Sequence, residues 1–519
     1  MAVVALCALM LLCVAYCLYE TLWGRRRHLP PGPMPMPVLG NLLQLDKRDC
    51  TSSLNRLGAA YGPVFTAFLP MPTIVITSYD KLKEYVINQG DTFAGRPTNF
   101  TQLLASHGEW GLRNASGELY NNQRKFCLTT LRRLGLQTGQ LEDRVVVEAQ
   151  KLVENLKRLS RNCTTSVDPT VPIQYAVMNV IRATLFNEVF ELDDPRGARM
   201  SGYLEKVLEA RMNTLLFAVD RLPWLRHLPP FKAVFAQYRG NWRALAAAIR
   251  GDVETKRAAV AEDAANNNFE ADDAPAVDFV TEYLKEMRKS ASDARFFNDW
   301  QLVCTAVDLW IGGSETSATT LRWALLLMLR FPEVQRRVRA EIHATVGAEA
   351  AIRLADRPRL PYTAATVLEV QRWANIAQLN VPHATTRPVQ IEGYTVPAGT
   401  VVLPQISSVL WDERHFAQPE EFRPERFLES SARGRCRRLG RRPAAFVPFS
   451  VGKRACPGEA LASMELFVLF ATLLQRLHFR QDHPHQPPTL TPKPTFVRTC
   501  QQYQCRVTEV THLEEDEPL

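Results

Sequence analysis

The stretch that most constrains this chain is Phe449-Ser450-Val451-Gly452-Lys453-Arg454-Ala455-Cys456-Pro457-Gly458, followed by a helical run that begins at Glu459. A cysteine set between two glycines, with a cation two positions before it and a helix opening just after it, has surroundings that suit a thiolate. Helix-terminal amides and the nearby cation offer positive charge to sulfur. Gly452 and Gly458 let the backbone turn tightly where side chains would collide with a flat ligand. A lone cysteine is otherwise a small buried hydrophobe, and on these residues both readings stay open.

The 519 residues are 46% hydrophobic and 22% charged, enough apolar material for a large core and unlike a disordered composition. Ala2 to Tyr19 is an unbroken apolar and small-residue run, long enough with Leu22 and Trp23 to cross a bilayer, and Arg25-Arg26-Arg27 follows at once. The cations behind it put the body in the cytosol. A cleaved secretory signal is disfavoured by the missing basic leader and cleavage site. Pro30 to Pro37 forms a stiff, extended spacer. The expected organisation is an anchor over 1–23, a basic and proline-rich hinge over 24–41, one large domain over 42–508 and an acidic tail over 509–519.

Eleven cysteines, three of them in the first apolar run and none in a paired zinc spacing, fit free thiols in a reducing compartment. A net charge of +8 admits nucleic acid, anionic membrane or an acidic protein as partner. No nucleic-acid motif supports the first. Strands are expected at 64–69 and 73–77, joined by a turn around Pro70 and Pro72. Helices are expected over 118–133, 142–159 and 173–185. Leu222 to Phe231 is an apolar, basic and aromatic break between helices. Ala258 to Ala276, with three consecutive asparagines, reads as a solvated loop.

A proline-free helix, capped by Asn298 or Asp299, should run from Trp300 to Arg330 and stop at Phe331-Pro332. It would be about 45 Å long. Asp308, Glu315 and Arg322 argue against a membrane span. Mid-helix glycines cost about 1 kcal/mol each relative to alanine, so Gly312-Gly313, ahead of Ser314-Glu315-Thr316-Ser317, suggests a required groove or local opening. Glu369 and Arg372 stand three apart on another helix, a spacing that many helical surfaces share.

The cysteine string matches Phe-x-x-Gly-x-Arg-x-Cys-x-Gly and resembles the haem-binding loop of the cytochrome P-450 family, in which the cysteine thiolate is the axial ligand of haem iron. Gly312 to Ser317 resembles the family's oxygen-binding motif, with Gly312 where alanine is usual. Glu369-Val370-Gln371-Arg372 and Phe422-Arg423-Pro424-Glu425-Arg426-Phe427 resemble its Glu-x-x-Arg and Pro-x-Arg-Phe elements. The resemblance runs from the hinge to about residue 508. The strings 368–372, 382–383 and 448–450 look most like the animal microsomal group of drug- and steroid-metabolising enzymes, the family-two clan.

The resemblance implies a mainly α fold with a small β lobe, preceded by one N-terminal transmembrane helix, and a haem b cofactor. Cys456 would ligate iron. Arg96, Arg124, His383, Arg454 and, with a phenol in place of the usual tryptophan, Tyr120 would meet the haem propionates. Thr316 would hydrogen-bond dioxygen and relay protons, with Glu315 linking that relay to solvent. Glu369, Arg372 and Arg426 would lock together behind the haem as structural residues. Phe100, Leu103, Leu104, Gly312, Ile376, Ala377, Val381 and Phe496 would border an apolar pocket. Asp308, grouped with them, would attract basic substrates or fasten the roof loop, and the second role is favoured. The break at 222–231 would touch the membrane.

The implied activity is insertion of one oxygen atom into a lipophilic molecule (fatty acid, steroid or xenobiotic) at the endoplasmic reticulum membrane, with the domain in the cytosol. Electrons would come from NADPH through a flavoprotein reductase, with cytochrome b5 as a further partner. The reductase would dock on Arg124, Lys125, Arg132, Arg133, Lys453 and the basic loop 433–442. Two other readings remain: a reductase-independent haem-thiolate isomerase, and a noncatalytic membrane haem sensor. Glycans at Asn99, Asn114 or Asn162 would contradict the cytosolic placement.

Overall fold

The computed structural model describes Ala15, Tyr16, Tyr19, Gly24 and residues 26–510, except 37–38, 47–48, 70, 98, 137–138, 162–163, 211–212, 266–276, 290–293, 430–437, 484–485, 494 and 496. Most of the expected membrane anchor, Phe496, residues 433–437 of the basic loop, Asn162 and residues 511–519 lie outside that description. Among the described residues no helix is long and apolar enough to cross a membrane.

The helices that carry the sites are α1 (Phe100–Ser106), α2 (Gly117–Leu131), α3 (Gln140–Leu159), α4 (Thr170–Phe186), α5 (Phe231–Ala265), α6 (Asp299–Arg330), α7 (Pro361–Ala374) and α8 (Glu459–Arg476). Strands are short: β1 (Val64–Phe68), β2 (Pro72–Ile76), β3 (His383–Ala384), β4 (Val389–Ile391), β5 (Tyr394–Val396), β6 (Val401–Pro404), β7 (Leu477–Gln481), β8 (Pro492–Lys493), β9 (Thr499–Cys500) and β10 (Cys505–Glu509). The largest sheet has the order β1-β2-β6-β3, with β2 parallel to β6 and the other pairs antiparallel. β7 pairs with β10, β4 with β5 and β8 with β9. The helical body with a small β lobe is the expected architecture.

One expected loop is partly helix. Residues 258–265 continue α5, because the alanines there favour helix and Val260 is buried against the body. The asparagine run that suggested a loop lies just beyond, in 266–276.

α6 is the axis of the molecule. The Asn298 side chain caps it by accepting from the Gln301 amide at 2.9 Å, and Phe331 ends it. Its first half, Leu302 to Trp310, belongs to a core shared with α2, α4 and α5. Its second half, Ala318 to Leu329, belongs to another core shared with α3, α7 and α8. Residues 312–317 fall between the two, so the helix crosses a place that neither apolar core fills. Gly313 is there for packing: a Cβ would come within 2.8 Å of Ile181 on α4. Gly312 faces the other way, where a Cβ would meet nothing within 4 Å. The helix stays helical through both glycines, so they make a groove without an opening of the backbone.

Candidate functional site

The loop before α8 is folded on its own backbone. Ser450 N donates to Val447 O at 3.0 Å, Ala455 N to Gly452 O at 3.1 Å and Cys456 N to Phe449 O at 2.9 Å. Gly452 has φ +74°, and a Cβ there would lie 2.4 Å from Val86 O, so the turn requires glycine. Ser450 sits in the same left-handed region, its hydroxyl accepting from the Asn380 amide at 2.8 Å. The Cys456 side chain is accessible, yet surrounding protein desolvates the thiol and raises its pKa. Both hold for a side chain on the wall of an interior hollow. The Gly458 amide favours the thiolate as the sequence suggests, the cation that does so is Arg124 rather than the nearby Arg454, and desolvation outweighs both. Metal coordination ionises such a thiol outright.

Four chain segments meet beside this loop through half-buried Arg96, buried Arg454 and buried His383. Arg96 donates to Pro382 O at 2.7 Å, Val381 O at 3.2 Å and Arg113 O at 3.1 Å. Arg454 donates to Ala94 O at 2.7 Å and Ala115 O at 2.6 Å, its guanidinium lying 3.4 Å from the Tyr120 ring centroid. His383, 1% exposed, holds Phe93 O through Nδ1 at 2.9 Å. Burial, and then the mutual repulsion of the guanidinium groups, push Arg96 down to about 9. Burial lowers Arg454 to about 10. His383 is driven well below its ordinary value by burial and by Arg96 and Arg454. The Tyr120 hydroxyl donates to Lys453 O at 2.8 Å and accepts from Arg124 at 3.2 Å. Its proton is therefore committed to the cysteine loop.

Asp308 lies within reach of these cations, but its carboxylate is engaged. Oδ2 accepts from the amides of Leu112 and Arg113, each at 2.8 Å, and Oδ1 pairs with the Arg113 side chain at 3.4 Å. It fastens the backbone of 112–113. Among the described residues neither Arg96 nor Arg454 forms an ion pair. A cluster of buried donors satisfied by neutral carbonyls, next to an accessible cysteine, fits a flat cofactor that brings two carboxylates of its own.

In the α6 groove the Thr316 hydroxyl donates to Gly312 O at 2.6 Å. Glu315 accepts from the Thr319 hydroxyl at 3.1 Å, and burial raises its pKa against the weaker pull of Thr319 and Arg322. Burial raises the carboxyl of Glu465 on α8 to about 8, against a weaker pull from the adjacent Ser317. This contact ties the groove to the helix that leaves the cysteine loop.

Glu369 and Arg372 are each 0% exposed and form a two-pronged pair at 2.8 and 2.9 Å. Arg426 joins at 3.1 Å and the Arg423 amide at 2.9 Å. The remaining guanidinium donors go to backbone carbonyls at 410, 417, 418, 419 and 421. The helix spacing shown in the sequence and a segment far along the chain are thus joined.

Ile376, Ala377 and Val381 are half-buried, as are Phe100 and Leu103, and Leu104 is exposed. The Arg226 guanidinium covers the Phe100 ring at 4.9 Å. Sequence reasoning missed Arg113, the Asn380–Ser450 link and the Ser317–Glu465 contact. Each depends on a partner distant in the chain, and no spacing pattern marks it.

A helical body whose axial helix α6 is grooved where two cores part, with an accessible cysteine on a glycine turn beside desolvated guanidinium groups, defines a haem-thiolate protein. The chain belongs to the cytochrome P450 family: the family model Cytochrome P450 matches residues 30–507. It is similar to "Cytochrome P450 2C41" of Canis lupus familiaris, 37% identical over 475 residues, covering 90% of this chain and 92% of that protein. It is similar also to "Cytochrome P450 2C23" of Rattus norvegicus, 34% identical with 88% of each chain covered. A third, "Cytochrome P450 2C8" of Homo sapiens, is 33% identical over 91% of this chain and 92% of that one. The protein is a cytochrome P450 monooxygenase with haem as its cofactor.

Proposed function

We propose that this monooxygenase acts on lipophilic small molecules at the endoplasmic reticulum membrane, with its domain in the cytosol and with electrons from NADPH through a flavoprotein reductase. Cytochrome b5 is a second electron-transfer partner in this reading. The observation that carries it is the accessible Cys456 beside half-buried Arg96 and buried Arg454, which form no ion pair among the described residues, and beside buried His383. When bound, the haem supplies the oxygen-activating chemistry that no side chain provides.

Each residue then has a part. Cys456 presents its sulfur from a turn that Gly452 and Ser450 hold. Arg96, Arg454 and His383 hold the propionates, while Tyr120 and Arg124 brace the loop. Thr316 holds a proton at its hydroxyl oxygen and can turn it from Gly312 O toward the groove. Glu315, whose raised pKa keeps a proton closer to neutral pH, resupplies it from the solvent side. Phe100, Leu103, Leu104, Ile376, Ala377, Val381 and Phe496 exclude water and orient the substrate, and Gly312 leaves room over the reacting position. Asp308 holds the roof loop. Glu369, Arg372 and Arg426 keep the scaffold behind the haem rigid.

Lys125 and Arg132 are exposed on α2 and just after it. Arg133 pairs with Glu282 at 2.8 Å and Lys453 with Asp91. The exposed Lys125 and Arg132 suit an acidic reductase surface. Trp224 and Leu228, both exposed, suit a bilayer contact for the 222–231 segment. The test is turnover of pooled lipophiles by the haem-loaded protein with reductase, NADPH and isotopically labelled dioxygen. Label in a product, formed only when reductase is present, is expected. Rearranged product without reductase would overturn the reading in favour of an isomerase.

A further inference from the structure

A cleft of about 450 Å³ opens between α5, the first turn of α6 and His107, which ends α1. Its walls are aromatic. Trp242, 3% exposed, and Trp300 meet edge to face with centroids 6.3 Å apart. Trp300 is fixed by donating Nε1–H to Ser106 O at 2.8 Å. The rim is basic: the Arg250 guanidinium lies 4.8 Å from the Trp300 centroid, and Arg243 donates to His107 Nε2 at 3.3 Å. Glu254 is the one acid among the lining residues. Ala246, Ala247 and Gly251 keep the α5 side low, and a Cβ on Gly251 would meet nothing within 4 Å.

This cleft is not part of the haem site. Trp300 precedes Gly312 by about 18 Å along α6, and none of the residues around Cys456 lines it. Two indole walls suit a flat apolar body, and two guanidinium groups suit a planar carboxylate or a sulfonate. The volume lies within the range of small-molecule sites. A bare inorganic anion would leave the aromatic walls unused. A cation would meet two arginines against one carboxylate.

We propose that the cleft binds a small aromatic carboxylate or sulfonate independently of the haem cavity. An occupant would bridge α5 and α6 to the end of α1, the helix that carries Phe100, Leu103 and Leu104. It would thereby couple to whatever those residues hold, and the coupling would act equally in both directions.

The probe is 2-naphthoate, titrated calorimetrically into the haem-loaded full chain whose haem cavity is blocked by an azole ligand. One equivalent is expected to bind. The uncharged isostere 2-naphthamide should bind weaker by about tenfold or more, and so should 2-naphthoate to the double variant Arg243→Glu, Arg250→Glu. Ala247→Trp, which fills the cleft and leaves every charge in place, should abolish binding, and it keeps the test decisive if charge reversal unfolds the chain. Absence of binding with the azole in place would overturn the proposal, as would equal affinity for the amide or undiminished binding by Ala247→Trp.

Discussion

The molecule buries charge in two places and treats it in opposite ways. Around Glu369 the carboxylate meets two guanidinium groups, and the donors left over find carbonyls, so the network is closed by the chain itself. Around Arg96 and Arg454 the guanidinium groups meet carbonyls, a tyrosine face and one another, while Asp308 is engaged elsewhere. A finished network stiffens a scaffold. An unbalanced one stores electrostatic cost that a dianionic cofactor would relieve, and on this difference we propose a structural role for the first set of charges and a cofactor-binding role for the second.

The largest expected effect lies in the closed network. Glu369→Ala leaves two buried guanidinium groups without their acid and should cost about 3–5 kcal/mol of stability, read by denaturant unfolding, with loss of folded haem protein. An unfolding midpoint unchanged from the parent would place that network among the dispensable surface pairs. The open cluster should answer differently. Arg96→Met or Arg454→Met removes a repelling cation, so the haem-free protein should be no less stable. Haem affinity should nonetheless fall by about 1.5–3 kcal/mol, the worth of a hydrogen bond to a charged group. Haem transfer to an acceptor protein measures this, and equal losses with and without haem would erase the distinction.

Proton linkage sharpens it further. The depressed pKa of His383 means that the folded haem-free chain refuses a proton that the unfolded chain accepts below about pH 6.5. The stability present above that pH should therefore be lost as pH falls toward the folded value, by up to about 1.4 kcal/mol per unit. His383→Gln should flatten that slope, and bound haem should lessen it by bringing carboxylates to the cluster. An identical slope in parent and variant would assign the titration elsewhere. The smallest change is Tyr120→Phe, which removes the hydroxyl between Arg124 and Lys453 O and should weaken haem retention by about 1 kcal/mol. An effect as large as that of Arg454→Met would make Tyr120 a direct cofactor contact.

What could be read from the sequence had its residues close together or its signals local. The cysteine turn is contiguous, and Gly452 is demanded by its φ and by Val86 O, whereas Gly458, at φ −91° with only the Cys456 sulfur near a Cβ, is not. α6 announces its cap at Asn298 and its stop at Pro332. In the long stretch 258–276 the asparagines at 266–268 hide the helix-forming alanines before them, which continue α5 to Ala265. The sign of the Cys456 shift was illegible for another reason: flanking cations and amides show in a sequence, whereas desolvation is a property of the assembled hollow. Arg113, Asn380 and Glu465 acquire meaning only from Asp308, Ser450 and Ser317, which tertiary folding delivers. Gly312 and Gly313 look alike in the sequence, and only the structure separates a glycine that admits Ile181 from one that leaves space.

The central claim is that Cys456 gives its sulfur, ionised, to haem iron. The carbonyl spectrum of the reduced, haem-loaded protein tests it most directly. The account predicts a thiolate-type Soret band in the parent and its loss in Cys456→Ser, even where haem is retained. The same band persisting in the serine variant would contradict it.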